Sequence, residues 1–251
     1  MQQALDVGRA LEGKLENVAY FKERDASYMS LSHGKANHLS DSSYDDERRW
    51  HGLSDFGKQV IAEMNRVGMM VDLSHLSDEA AWDALNLSKA PVIASHSSAR
   101  HFTPEFERNI SDELIKAVAD GGGVIQINFG SSFIKQEAQQ WFDDMGTARE
   151  AWMEQNGIDE HDPRRWEFSG LYREDHPFPY ADLDDVVAHF KYVIDLVGVE
   201  VGNVSSRIEA DGRFVDAVRA CTRSFDLLIR RGGEEFELVM PNTGSVEGYR
   251  V

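Results

Sequence analysis

Cysteine is nearly absent. Cys221 is the only one in 251 residues, so neither an internal disulfide nor a Cys-x-x-Cys zinc site can hold this fold. That absence leaves the compartment open, because many exported proteins also lack disulfides. Positive charge is scarce too: 26 Lys and Arg against 44 Asp and Glu give a formal charge of −18, which repels a phosphate backbone and an anionic membrane surface alike. Nucleic acid is a poor candidate partner. No run approaches the roughly 18 apolar residues that a transmembrane segment needs. The opening Met1-Gln-Gln-Ala-Leu-Asp has neither the basic start nor the apolar stretch of a signal peptide, so the chain as given reads as cytoplasmic. Gly-x-Gly-x-x-Gly and P-loop patterns are missing, and the glycines at 121–123 follow a helix instead of opening one, so nucleotide binding has no support. What is present, 41% hydrophobic and 28% charged residues, is the balance of a globular chain long enough to bury a sizeable core.

Between Gly52 and Asn128 the sequence alternates with a regular beat. Ser54 caps an expected helix whose apolar residues Phe56, Val60, Ile61, Met64 and Val67 share one face, and Gly68 ends it. Met69 to Leu73 reads as a strand. Ser77, followed by Asp78 and Glu79, opens a helix through Trp82 and Leu85, and Pro91 to Ser95 reads as the next strand. The unit repeats with a helix from Ser111 through Leu114, Ile115 and Val118, then a strand at Val124 to Asn128. Upstream, a helix through Leu15, Val18 and Phe21 precedes a strand at Tyr28 to Leu31. Such alternation of short strands and helices of about three turns is the mark of parallel βα units.

The expected class is therefore α/β, a (β/α)₈ TIM-barrel-like fold. Four or five βα units are legible, fewer than a complete barrel has, so the expectation is a single partial-barrel domain over residues 1–251. Unpaired strand edges in such a fold favour self-association, so a homodimer is possible. From Trp141 to His176 the beat is lost: ten acidic and four basic residues, three tryptophans and no strand-like run suggest an insertion at about 135–180. It reads either as a solvated surface excursion or as a lid over a site. Asp184 to Val197 restores an amphipathic helix, and a further helix is expected from Val215 to Arg230.

Three histidines fall at the same place in successive units: His33 ends Tyr-Met-Ser-Leu-Ser-His, His75 ends Met-Val-Asp-Leu-Ser-His, and His96 ends Val-Ile-Ala-Ser-His. Each is the residue leaving an expected parallel strand. The carboxyl ends of such strands open on one face of a barrel, so the three imidazoles converge although 21 to 63 positions separate them. Any one of them alone reads as a hydrogen-bonded structural histidine; the set reads as a zinc site, since zinc takes neutral imidazole and carboxylate ligands. Ser95-His96-Ser97-Ser98 invites a serine-nucleophile reading, but adjacency in sequence does not supply the geometry of a triad. Arg108, just before the Ser111 helix start, reads either as a surface arginine or as a planar fork for a substrate carboxylate.

These segments resemble the renal or membrane dipeptidase family of zinc peptidases. The resemblance rests on Tyr-Met-Ser-Leu-Ser-His33 with Asn37 and Asp41-Ser-Ser following, Gly52-Leu-Ser-Asp-Phe-Gly57, and Glu63-Met-Asn-Arg-Val-Gly-Met-Met-Val-Asp-Leu-Ser-His75. It continues in Ala90-Pro-Val-Ile-Ala-Ser-His-Ser-Ser-Ala-Arg100 and Arg108-Asn-Ile-Ser-Asp112. It is strong from about residue 10 to 134, fair from 180 to 199 and poor beyond. It implies a metal-dependent hydrolase of (β/α)₈ type that cuts dipeptides at a binuclear zinc centre, in a family whose members are often exported. It also implies that His75 and His96 ligate one zinc, that His33 contacts substrate near the reacting carbonyl, and that Arg108 contacts substrate.

Three departures bear on that transfer. The family's first zinc is held by a His-x-Asp pair on the first barrel strand; no His-x-Asp occurs here, and the chain is expected to begin downstream of that strand. The family's metal-bridging glutamate stands in a Glu-x-Gly context, where this chain has Asp6-Val-Gly, a carboxylate one methylene shorter. The family's late Gly-Ser-Asp-Phe-Asp-Gly segment, whose first aspartate is the acid/base, meets Val201-Gly-Asn-Val-Ser-Ser-Arg-Ile-Glu-Ala-Asp211-Gly, with Asp211 as the candidate for that role. The expected function is a zinc dipeptidase with Asp6, His75 and His96 as metal ligands. The alternatives are a catalytically impaired fragment that acts as a binding domain and an amidohydrolase for another small amide.

Overall fold

Three serines set the frame. The side chains of Ser54, Ser77 and Ser111 accept hydrogen bonds from the backbone N–H of Gly57 (3.0 Å), Ala80 (3.3 Å) and Leu114 (3.3 Å), satisfying donors that a helix start otherwise leaves open. The helices they cap are α2 (Asp55–Val67), α3 (Asp78–Leu87) and α4 (Asp112–Asp120), and α1 (Glu16–Lys22) precedes them. Gly68, at φ 74°, closes α2 in a left-handed conformation that a side chain would strain. This computed structural model describes residues 3–6, 8–159, 161–198, 227–232 and 235–239.

The helices alternate with five parallel strands: β1 (Gln3–Asp6), β2 (Ala26–Ser30), β3 (Met70–Asp72), β4 (Ile93–Ala94) and β5 (Val124–Ile125). Their order across the sheet is their order in the chain. That order is the barrel's; a doubly wound sheet reverses direction at its first strand. Strand residues Met29, Val71, Ala94 and Ile125 are buried against Val60, Ile61, Met64, Leu114, Ile115 and Val118 of the helices. Each large apolar side chain so buried contributes about 1.5–3 kcal/mol.

The region at about 135–180 is helical. A short α5 (Ser131–Ile134) leads into the long α6 (Gln136–Asn156), and α7 (Phe168–Asp175) follows. Trp141 anchors this part, with its Nε1–H donating to the His176 carbonyl at 2.9 Å. The chain then returns to the core through α8 (Leu183–Val197), whose Val193 joins the same apolar cluster as Leu11 and Val71.

One expectation is corrected. The helix expected from Val215 to Arg230 does not hold at its end, because Leu227–Gly232 is a strand, β6, paired antiparallel with β7 (Glu235–Val239). The short apolar run Leu227-Leu228-Ile229 fits either state by pattern, and antiparallel pairing of Arg230 with Phe236 decides it. Residues 215–226 lie outside the described residues.

Candidate metal centre

Parallel register puts the relevant strand ends level. Asp6 of β1 pairs with Ser30 of β2, and Ser30 with Asp72 of β3, so the chain leaves all three strands at one rim of the sheet. His33 and His75 follow three residues after Ser30 and Asp72, and His96 two after Ala94. The rim brings these histidines together: the His33 and His75 ring centroids are 4.4 Å apart and those of His75 and His96 4.8 Å. The Nε2 atoms of His75 and His96 face each other at 2.8 Å. His75 is buried, His96 half-buried and His33 exposed.

Serine hydroxyls lash the three loops to one another. Ser30 Oγ donates to the Ser74 carbonyl at 2.6 Å, and Ser42 Oγ to the carbonyl of His33. The carbonyl of His75 accepts from Ser32 Oγ at 3.0 Å, Ser43 Oγ at 3.3 Å and the Ser43 N–H at 2.9 Å. His75 needs this hold, because its φ of 74° places a non-glycine residue in the left-handed region at a cost of about 1–2 kcal/mol. Asn37 and Asp41 brace the adjoining loop. Asp41 is fully buried and accepts from the backbone N–H of Arg49, Trp50 and Gly52.

Behind the histidines lies a fully buried carboxylate. Asp72 Oδ1 accepts from the N–H of Ser74 and of Ser95, both at 3.0 Å, and Oδ2 lies 2.5 Å from Ser95 Oγ. Ser95 Oγ is in turn 2.6 Å from His96 Nδ1. Burial pushes the Asp72 carboxyl up, and the Ser95 and Ser74 hydrogen bonds oppose it. The order is carboxylate, hydroxyl, imidazole, so the histidine does not stand between acid and serine as a nucleophilic triad requires. Asp72 and the pairing role of Ser95 were missed in the sequence. The available signal was a carboxylate inside the apolar run Met69 to Leu73.

Arg108 is 2% exposed, donates from Nη1 to Ser97 Oγ at 2.7 Å, and lies 5.3 Å from the Phe133 ring centre. Ser97 Oγ reaches on to Ser74 Oγ at 3.3 Å, which ties the arginine to the histidine rim. Burial, with help from the charge of Arg108 and from the His96 and His33 rings, drives the His75 pKa down to about 2, so this imidazole is neutral. Tyr44, half-exposed, stands 5.9 Å from the His75 ring, and burial raises its pKa against the pull of Arg108. Its place on the loop after Asp41 carried no legible pattern. Asp211 lies outside the described residues.

The family model for membrane dipeptidase, peptidase family M19, matches residues 4–239. The chain belongs to the membrane dipeptidase family. Among curated relatives, an uncharacterized dipeptidase of Schizosaccharomyces pombe is 46% identical over 111 residues, 43% of this chain and 26% of that one. Dipeptidase tcpJ of Claviceps purpurea is 43% identical over 109 residues, 43% of this chain and 25% of that one. The chain thus matches about a quarter of the length of these relatives. In fold, this membrane dipeptidase family chain is similar to the probable dipeptidase PvdM from Pseudomonas aeruginosa, with TM-score 0.68 and 24% identity over 81% of this chain and 56% of that one. It is also similar to a metallo peptidase from Rhodobacter sphaeroides liganded with a phosphinate mimic of the dipeptide L-Ala-D-Ala. There the TM-score is 0.64 at 20% identity, over 89% of this chain and 57% of that one.

Peptidase family M19 is a family of metallopeptidases, and the rim can be tested for fit. Two nitrogens on a tetrahedral zinc stand about 3.3 Å apart, given bonds of about 2.0–2.1 Å. The His75 and His96 Nε2 atoms, at 2.8 Å, need to separate by only about half an ångström to reach that bite. The neutral state of His75 is the ligating one. The pair fits a metal ion as two of its ligands. Among the described residues no group of three or more His, Cys, Asp or Glu side chains is placed to hold one.

Proposed function

We propose that this chain is a zinc-dependent dipeptidase in which His75, His96 and Asp6 hold the ion and a dipeptide is hydrolysed at its peptide bond. The observation that carries the reading is the facing pair of imidazole nitrogens where strands β3 and β4 end. Zinc, when bound, would supply a water whose pKa is lowered toward ~7 and would polarise the carbonyl. Exposed His33, beside His75, donates a hydrogen bond to the carbonyl oxygen as it takes on negative charge. Arg108 holds the substrate carboxylate, its guanidinium kept in place by Ser97. Asp211 is the proposed acid/base. Relatives named as dipeptidases, and the R. sphaeroides metallo peptidase carrying a dipeptide mimic, support this substrate class.

The chain is further proposed to form a single partial-barrel domain, since α8 and the sheet share one apolar cluster. β1 and β5 are the outer strands of the parallel sheet, and pairing of such an edge between two copies would give a homodimer, detectable by sedimentation.

Hydrolysis of a small dipeptide panel with added zinc tests the main reading, beside a chelated sample and His75→Ala. Turnover that vanishes in both controls is expected. A specific observation favours a second reading, a binding domain with impaired chemistry: only two ligands face each other among the described residues, and the sequence has no His-x-Asp. Dipeptide binding without turnover, unchanged in His75→Ala, would replace the first reading with the second. Turnover of another small amide but of no dipeptide would shift the substrate class.

A further inference from the structure

Asp72, Ser95 and His96 form a chain of polar contacts that ends on His96 Nδ1, across the ring from the proposed metal-facing Nε2. Asp72 closes β3 and Ser95 follows β4, its parallel neighbour, so the contact is made by sheet register and needs no mobile loop. Asp72 Oδ1 is saturated by the two backbone N–H groups of Ser74 and Ser95, which fixes the carboxyl plane and leaves Oδ2 for the Ser95 hydroxyl at 2.5 Å. The hydroxyl has one proton to give. If it goes to Asp72, the same oxygen can only accept from His96 Nδ1, 2.6 Å away. The His96 main chain is held as well, its N–H donating to Ser74 Oγ at 3.0 Å.

We propose that Asp72 and Ser95 are positioning residues: through one hydroxyl they lock His96 in the tautomer protonated at Nδ1, so that the Nε2 lone pair points at His75, where the metal is to sit. Asp72 acts at one remove, by deciding which way the Ser95 proton faces. The metal part of this inference rests on the proposed function; the tautomer part does not. The relay has a direction, and that makes it separable from simple packing. In Asp72→Asn the amide oxygen keeps the two backbone N–H bonds, because the NH₂ cannot accept them. The NH₂ then faces Ser95 Oγ and donates to it. Ser95, whose proton no longer has the Asp72 acceptor, turns it toward His96 Nδ1, and His96 then carries its own proton on Nε2. The near-isosteric change reverses the tautomer and blocks the ligand nitrogen.

The test uses the full chain labelled with ¹⁵N, free of metal, at pH 8. Two-bond ¹H–¹⁵N correlation reads which nitrogen of His96 carries the proton, and chelator competition reads the zinc affinity. The expected result is Nδ1–H in the native chain, Nε2–H in Asp72→Asn and a mixture in Ser95→Ala. Zinc affinity is expected to fall 10- to 100-fold in both variants. A folded Asp72→Asn with its His96 proton still on Nδ1 overturns the proposal. So does Ser95→Ala with unchanged tautomer and zinc affinity, which also decides the matter if Asp72→Asn does not fold. If the native chain binds no zinc but Asp72→Asn moves the proton, the relay stands and the zinc reading falls.

Discussion

Asp41 offers a stability prediction whose size can be worked from its contacts. The side chain is fully buried, and its two oxygens receive the Arg49, Trp50 and Gly52 N–H groups at 2.8 to 3.1 Å. Truncation in Asp41→Ala leaves three donors without their acceptor. Arg49 and Trp50 are exposed, so water can replace the bond at about 0.5–1 kcal/mol each. Gly52 is buried and its orphaned N–H costs about 1–3 kcal/mol, for a total near 3 kcal/mol. Asparagine should not rescue the site. Both oxygens are acceptors here, so either orientation of the amide sets an NH₂ against a backbone N–H, and Asp41→Asn is expected to lose about 2 kcal/mol or more. Urea unfolding monitored by tryptophan fluorescence reads both variants as a lower midpoint at constant slope. A loss below about 0.5 kcal/mol in Asp41→Asn would show that the loop does not depend on this carboxylate.

Other consequences can be checked as directly. A Cβ at Gly57 would collide with the Leu39 carbonyl oxygen, which also accepts the Ser54 N–H, so Gly57→Ala is expected to cost about 1–3 kcal/mol in the same urea assay. His189, fully buried against Phe102, has its pKa lowered to about 4 by burial, with Asp185 opposing and His101 assisting. Its folded pKa lies below the unfolded 6.5, so it leaves stability untouched above pH 6.5 and removes up to about 3 kcal/mol as the pH falls toward 4. Thermal melts of the native chain and His189→Gln between pH 7.5 and 4.5 should therefore diverge, the native midpoint falling more steeply; parallel curves would contradict this. For Arg108, the native chain should prefer a free dipeptide to its C-terminal amide. Arg108→Gln should abolish that preference, and an undiminished preference would remove the arginine from the carboxylate site.

Much of the frame was readable because the determining signals are local. Ser54, Ser77 and Ser111 were legible as caps from the polar residue standing before each apolar stripe, and Gly68 as a stop. Convergence of His33, His75 and His96 was legible because parallel βα units put every strand end on one rim. Helix α6 was not, since among its 21 residues only Ala138 and Trp141 are buried and no apolar stripe marks it. Two of the serine lashings, Ser30 to Ser74 and Ser32 to His75, join residues more than 40 positions apart, and nothing in either local segment names its partner. Asp72 was read only as part of the strand Met69 to Leu73, and register with β4 is what gives it the Ser95 hydroxyl.

The central claim is that His75 and His96 are two ligands of one metal ion. Equilibrium dialysis of the metal-free chain against buffered zinc tests it most directly, beside a variant carrying both His75→Ala and His96→Ala. The account predicts zinc bound to the native chain and none to the double variant at the same free concentration. Equal zinc on both, or none on either, would contradict it.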